Sequence, residues 1–306
     1  MIAVLAGGTG SVKLVRGLAR SAKDMTVISN VGDNIWLHGL YVCPDIDTII
    51  YGLAGVLDVQ RGWGIRGDTF ECLGQLKKLG TLAWFSLGDR DIATHVLRTD
   101  MIRAGKSLSE VTSWMRERYS VAPRVVPATD SEVTTLVMTG SGEMHLQEFW
   151  VRRKGAPKVT GVRYDGADEA MPNPDAIDAI RQSDLVIIAP ANPVSSIGPI
   201  FAIKGLRKEL VRNREKVIAV SPLIGEHAFT GPAVKYMKAL GIESSPVGVA
   251  QYYRDLIGAF IISKRDHSLA GRIEALGTHV YETNITMKSR QDEVRLGKHI
   301  LCKIRK

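Results

Sequence analysis

Phosphate chemistry needs backbone N–H groups, cations and carboxylates brought to one place, and several stretches of this 306-residue chain offer them. Gly7-Gly8-Thr9-Gly10 follows an apolar run and opens an amphipathic one, so its amides and a helix N-terminus can converge on a phosphate. The turn matches neither standard fingerprint. Lys13 stands where a dinucleotide fold has its third glycine, and the Gly-Lys-Ser/Thr ending of a Walker loop is missing. A basic residue there suits phosphates better than packing against a hydride cofactor, which weighs against an NAD-type oxidoreductase.

Pro44-Asp45-Ile46-Asp47-Thr48 precedes a helical run beginning near Ile49. Asp45 and Asp47 have two readings. They cap the helix and complement its dipole, or they project to one side of an extended segment and hold a hard divalent cation such as Mg²⁺. In Gly88-Asp89-Arg90-Asp91, Asp91 reads as the N-cap of the next helix, which leaves Arg90 free to meet a phosphate or clamp a carboxylate. His95 reads as a surface or core histidine, having no visible partner. Asn192-Pro193, Ser195-Ser196 and Gly198-Pro199 follow one apolar run, and Ser221-Pro222 through Gly225 to Gly231-Pro232 follow the next. In open α/β sheets ligands bind outside the carboxyl ends of the strands, so these loops point to one crevice.

The elements that must carry them are legible from periodicity. Ile2 to Ala6 and Thr26 to Ser29 read as strands joined by a helix with the apolar stripe Leu14, Val15, Leu18 and Ala22, a βαβ unit. Leu185 to Ala189, Val217 to Val220 and Ala259 to Ile262 are apolar throughout, as buried parallel strands are. A later helix has Pro232 near its start and Gly241 near its end. Between the halves, Ser107 and Glu110 form a capping box for a helix through Arg118, and Glu132 to Val151 reads as a hairpin turning at Gly140-Ser141-Gly142. The expectation is an α/β fold, a mainly parallel sheet flanked by helices over residues 1–105 and 166–306, with a smaller helix and hairpin cap inserted at 106–165.

Composition bounds the rest. A chain this long buries roughly three-quarters of its surface on folding. Cys43, Cys72 and Cys302 are too scattered for a zinc site or a disulfide framework and read as reduced thiols of a cytoplasmic protein. The N-terminal apolar run is too short for a signal peptide. Leu185 to Ile203 is uncharged, but Pro190, Pro193, Gly198 and Pro199 make it a strand and loop rather than a membrane helix. The formal net charge of +8 predicts an anionic partner. No basic-aromatic motif points to nucleic acid, and the basic C-terminal residues Lys298, Lys303, Arg305 and Lys306 read as a solvated helix face.

Taken in order, the glycine turn, Gly32-Asp33, Pro44 to Thr48, Gln60-Arg61-Gly62-Trp63-Gly64, Leu87 to Asp91 with Ala93-Thr94-His95, Asn192 to Pro199, and Ser221 to Pro232 resemble the 2-phospho-L-lactate transferase family of coenzyme F-420 biosynthesis. The resemblance implies transfer of a phosphorylated three-carbon acid from a GDP-linked donor (lactyl-, phosphoenolpyruvyl- or glyceryl-diphosphoguanosine) to the ribityl hydroxyl of the deazaflavin Fo, with release of GMP and a requirement for Mg²⁺. It places Asp45 and Asp47 at the metal and Fo site and Arg90 in the same cleft. Around the nucleotide it places Gly7, Gly8, Thr9, Gly10 and Lys13, with Asn192, Pro193, Ser196, Gly198, Ser221 and Gly225. It implies a Rossmann-like fold and a homodimer. Ala191 and Leu223 depart from the family's usual Ser and Ile. A nucleotide-binding regulatory protein of a related family, lacking transferase activity, is the alternative; the Pro44 to Thr48 and Gly88 to Asp91 motifs favour the enzyme.

Overall fold

The computed structural model describes residues 1–228 and 232–303. The strands are β1 (Ile2–Ala6), β2 (Met25–Ser29), β3 (Ile35–Leu37), β4 (Leu40–Val42), β5 (Arg124–Pro127), β6 (Thr134–Thr139), β7 (Gly142–His145), β8 (Val159–Asp165), β9 (Leu185–Ile188), β10 (Val217–Val220), β11 (Leu223–Ile224), β12 (His227–Ala228), β13 (Ala259–Ser263) and β14 (His279–Thr283). The helices are α1 (Gly8–Ala19), α2 (Pro44–Ala54), α3 (Glu71–Lys78), α4 (Asp89–Arg103), α5 (Leu108–Arg118), α6 (Pro174–Gln182), α7 (Gly198–Ala202), α8 (Lys204–Arg212), α9 (Ala233–Ala239), α10 (Pro246–Tyr253), α11 (Ala270–Glu274) and α12 (Arg290–Lys303).

Seven strands form one parallel sheet in the order β14-β13-β10-β9-β1-β2-β5. Strands β1, β2, β9, β10 and β13 are buried along their whole length, which is why β1, β9 and β10 are apolar throughout and β2 and β13 carry no polar group larger than the hydroxyls of Thr26, Ser29 and Ser263. The chain moves outward from β1 through β2 to β5, then returns to the other side of β1 at β9. Strand order therefore reverses between β1 and β9, and the turn after β1 meets the loop after β9 there.

The expected α/β sheet is present, and the hairpin at residues 140–142 forms. That hairpin is part of a three-stranded antiparallel sheet, β7-β6-β8, to which β8 adds the third strand. Strand β5, from within the 106–165 range read as a cap, is the outermost strand of the main sheet, and α5 packs on it. That range thus holds part of the main layer as well as the small sheet. The small sheet sits over the reversal point: Thr135 N–H donates to the Gly32 carbonyl at 2.6 Å and the Tyr164 hydroxyl to the Val194 carbonyl at 2.7 Å. A Cβ on Gly32 would meet Pro199 and Thr135, and one on Gly198 the Tyr164 hydroxyl, so both glycines are set by close approach.

Helix α12 is more than a solvated face. Lys298 is exposed, as expected, but Leu296 and Ile300 are buried and Arg16 of α1 pairs with Glu293 in the interior. Gly17 and Gly297 let the two helix backbones touch. Arg305, Lys306 and Gly231 lie outside the described residues.

Candidate functional site

Helix α2 begins at Pro44 rather than near Ile49. Proline's fixed φ suits the first helical position, and two acidic residues in the first turn complement the dipole. The consequence corrects the expected side-by-side placement of the two carboxylates. Two residues apart on a helix point to different faces, and here Asp45 and Asp47 enter different clusters.

Asp45 faces the glycine turn. It accepts from Gly8 N–H and, at 2.9 Å, from Asn30 Nδ2, which also donates to Asp33 at 3.1 Å. Asn30 is the first residue beyond β2 and is itself held by its backbone N–H on Ala6 O and by Gly32 N–H on its Oδ1. A Cβ on Gly7 would lie 2.7 Å from Asp45 Oδ2 and 2.9 Å from Ser196 O, so only glycine admits this approach. Asp33 also accepts from Gln147 Nε2 at 3.1 Å. Burial is the largest influence on both carboxyls. It pushes Asp45 up to about 6 against the hydrogen bonds from Asn30 and Gly8, and with the charge of Asp45 it holds Asp33 well above the carboxylate range. Among the described residues no cation neutralises this pair.

Asp47 faces α4. Arg98, fully buried, grips it with both terminal nitrogens and donates to His95 Nδ1 at 3.1 Å. His95 Nε2 lies 3.4 Å from Asp91 Oδ1, which accepts from the Tyr51 hydroxyl at 2.7 Å. Burial opposes the charge on Asp91, but His95, Tyr51 and Arg98 together hold its carboxyl below the usual range. Burial likewise opposes the Arg98 charge, and Asp47 outweighs it. Ligand atoms of Asp47, Asp91 and His95 lie within 4.8 Å of one another, a group that could hold a metal ion.

Several expected roles change. The N-cap of α4 is Gly88, with Asp91 in the first turn. Asp68 accepts from Arg90 N–H and Asp91 N–H, while Asp89 returns the favour to the start of α3 through Glu71 N–H and Cys72 N–H. Arg90 itself is exposed and outside the cleft, and its place beside an aspartate is taken by Arg98. His95 is a buried, partnered member of the site. Lys13 is exposed and its Nζ donates to Met287 O at 3.3 Å. Asn192 caps the turn over Pro193–Ile197 through Val194 N–H and Ser195 N–H; Ser221 ties its own turn at Leu223; Gly225 N–H donates to Asp266. Thr9 touches the Gln60 to Gly64 stretch, where a Cβ on Gly62 would lie 3.3 Å from Thr9 Cγ2.

Beside the carboxylates lies a cavity of about 220 Å³. Trp63, Phe85, Trp150 and Tyr51 supply aromatic walls; Asp47, Asp91 and His95 line it too. Gln147 lines the cavity and binds Asp33, and so joins it to the Asp33–Asp45 pair. Asp91, His95 and Arg98 repeat at i, i+4 and i+7, a polar helix face that the sequence displays. Gln147 has no such signal, because it arrives from the helical turn after β7, far along the chain.

Polar groups gathered at the reversal point of a parallel sheet, against an aromatic-walled cleft, define a Rossmann-like α/β protein with its site at the carboxyl edge. The 2-phospho-L-lactate transferase (CofD) description matches residues 2–299. The chain is similar to the 2-phospho-L-lactate transferases of Methanopyrus kandleri, 42% identical with 98% of this chain and 96% of that one covered, and of Methanosarcina mazei, 37% identical with 97% and 98% covered. The chain therefore belongs to the 2-phospho-L-lactate transferase family, transferases of coenzyme F-420 biosynthesis. This sets aside the regulatory and dehydrogenase alternatives. Protein BH3568 from Bacillus halodurans shares the fold, with a TM-score of 0.66 at 16% identity over 98% of both chains. No described helix is long and apolar enough to cross a membrane.

Proposed function

We propose that this enzyme transfers a phosphorylated three-carbon acid, the lactyl, enolpyruvyl or glyceryl form, from its GDP conjugate to the ribityl hydroxyl of Fo. The observation that carries this reading is the aromatic-walled cavity from which Gln147 leads to the buried Asp33–Asp45 pair. A planar deazaflavin stacks on aromatic walls, and its ribityl chain is thereby directed toward Asp45. The donor's nucleotide lies along the carboxyl ends of β1, β9 and β10, by Gly7 to Gly10, Asn192 to Gly198, and Ser221 to Gly225.

In the transfer, the ribityl oxygen forms a bond to the phosphorus bearing the three-carbon acid and the bond from that phosphorus to the GMP oxygen breaks. The hydroxyl proton passes to a carboxylate, and Asp45 is placed to receive it or to orient the hydroxyl. Positioning and charge neutralisation supply most of the rate in such reactions. The donor set fits Mg²⁺: Asp33 and Asp45 offer only hard oxygens and lack a neutralising cation, whereas Asp47 already has Arg98. When bound there, Mg²⁺ supplies charge neutralisation of the diphosphate. Incubating the protein with Fo, Mg²⁺ and each of the three donors should yield a phosphorylated deazaflavin, detected by mass, with at least one; absence of product with all three would overturn the reading.

The Asp45 carboxyl gives a metal-free signature. Its folded form holds a proton more tightly than the unfolded carboxyl, whose ordinary value is 3.8. Its contribution to stability is therefore full below about pH 4 and is lost as pH rises through about 6, on the order of 3 kcal/mol. In chelator, the urea stability of wild type relative to Asp45→Asn should fall over that window, and saturating Mg²⁺ should flatten the fall. A difference constant from pH 4 to 7 in chelator would remove Asp45 as the group concerned.

A further inference from the structure

The mechanism above takes a cavity wall, Trp63, from the Gln60 to Gly64 motif and leaves Arg61 without a duty. The motif forms a closed loop between α2 and α3. Leu57 and Ile65 pair across its base, Asp58 N–H donates to Gly64 O at 3.0 Å and Gly62 N–H to Asp58 O at 2.8 Å. The loop touches both halves of the site. A Cβ on Gly62 would press on Thr9 of the glycine turn, while Trp63 and Gly64 line the aromatic cavity.

Arg61 is held in place by its own loop. Its Nε donates to Asp58 Oδ2 at 2.8 Å, while Asp58 Oδ1 accepts from Gln60 N–H and Arg61 N–H, both at 3.0 Å. The guanidinium carbon lies 5.4 Å from the Trp63 ring centre and 5.0 Å from that of Phe70, so two aromatic rings fix it further. Its two terminal nitrogens have no hydrogen-bond or ion-pair partner among the described residues, and the side chain is partly exposed. What remains is the end-on fork of a guanidinium, which takes a carboxylate through two parallel N–H···O bonds. Other cations of the site are engaged: Lys13 donates to Met287 O, Arg98 grips Asp47, and no Lys or Arg lines the cavity.

We propose that Arg61 binds the carboxylate of the three-carbon acid and so selects the donor. The assignment rests on the transferase reading above and names the residue that sets acid specificity within it. The donor carries two kinds of anion. In that reading its diphosphate is served by the glycine-turn amides and the Asp33–Asp45 cation site, whereas the carboxylate of the acid has no partner. The acid hangs from the phosphorus that the ribityl hydroxyl attacks, so it lies where the cavity meets the glycine turn. The loop that carries Arg61 touches both. A fork already fixed by Asp58 and two rings has little side-chain freedom left to lose on binding, unlike a free surface cation.

Donor analogues supply the test. The donor that wild type uses is compared with its amide, in which the carboxylate is replaced by a neutral carboxamide of the same shape, by kcat/KM with Fo and Mg²⁺. Wild type should favour the carboxylate donor by about 10- to 100-fold. Arg61→Met should lose a similar factor with that donor and little with the amide, bringing the ratio to within about threefold. A contact to phosphate, or a loop that collapses without Arg61, would instead cost the same with both donors, and equal losses would overturn the assignment. So would a wild type that uses both donors equally. If Arg61→Met does not fold, Arg61→Gln decides: a reduced ratio supports the assignment and an unchanged one overturns it. Wild type that turns over none of the three carboxylate donors overturns the transferase reading itself, whereas turnover with an unchanged ratio in the variant overturns only the role of Arg61.

Discussion

Asp45→Asn should lower kcat/KM for Fo by on the order of 10³-fold while leaving the protein folded and, near neutral pH, at least as stable as wild type. The two halves of that expectation share one cause. Asp45 is a buried carboxyl whose ionised form is disfavoured by its surroundings, so a neutral amide relieves a penalty that wild type carries at pH 7. In the proposed mechanism the ionised oxygen holds the cation with Asp33 and orients or deprotonates the ribityl hydroxyl. The check is steady-state kinetics at saturating Mg²⁺ beside urea unfolding of the same preparation. Turnover within tenfold of wild type would sink the role assigned to Asp45, and a large loss of stability would mean that the carboxylate is structural.

Arg98→Met should do the opposite, costing about 3–5 kcal/mol of stability. The guanidinium is fully buried and grips Asp47 with both terminal nitrogens, so removing it strands an interior carboxylate. Asp47→Asn strands the cation instead and should cost a similar amount. Because each single change leaves one uncompensated charge and the double change leaves none, Arg98→Met with Asp47→Asn should destabilise by less than the sum of the two. Urea midpoints of the four proteins measure this, and strict additivity would show that the pair is not coupled. Loss of activity in Asp47→Asn alone is therefore no evidence of a catalytic carboxylate, a distinction that the sequence motif conceals.

The contrast between Asp45 and Asp47 shows where sequence reading stops. Their types, and their place at the start of a helix after a strand-rich stretch, were legible, as were the glycine turn and the loops after β9 and β10. Buried parallel strands carry their own signature, because a strand covered on both faces has no polar residue to interrupt it. Strand β5 escaped it: Arg124-Val125-Val126-Pro127 is a short edge strand whose charge and proline are tolerated only because one side is unpaired. Similarly, the capping box at Ser107 was readable because all its partners lie within four residues.

What the sequence by itself determined is the set of local structures and chemically able residues: the βαβ start, the glycine turn, the acidic helix N-terminus and the polar face of α4. What only the tertiary structure decided is which of them meet. Asp45 joins Asn30 and Asp33 because β1 and β2 are neighbours. Asp47 is neutralised because α4 lays Arg98 against α2, and Gln147 reaches Asp33 because the small sheet docks over the reversal point. The physical reason is that hydrogen-bond reach is about 3 Å, whereas these partners stand 12 to more than 100 residues apart in the chain, so no local pattern records them.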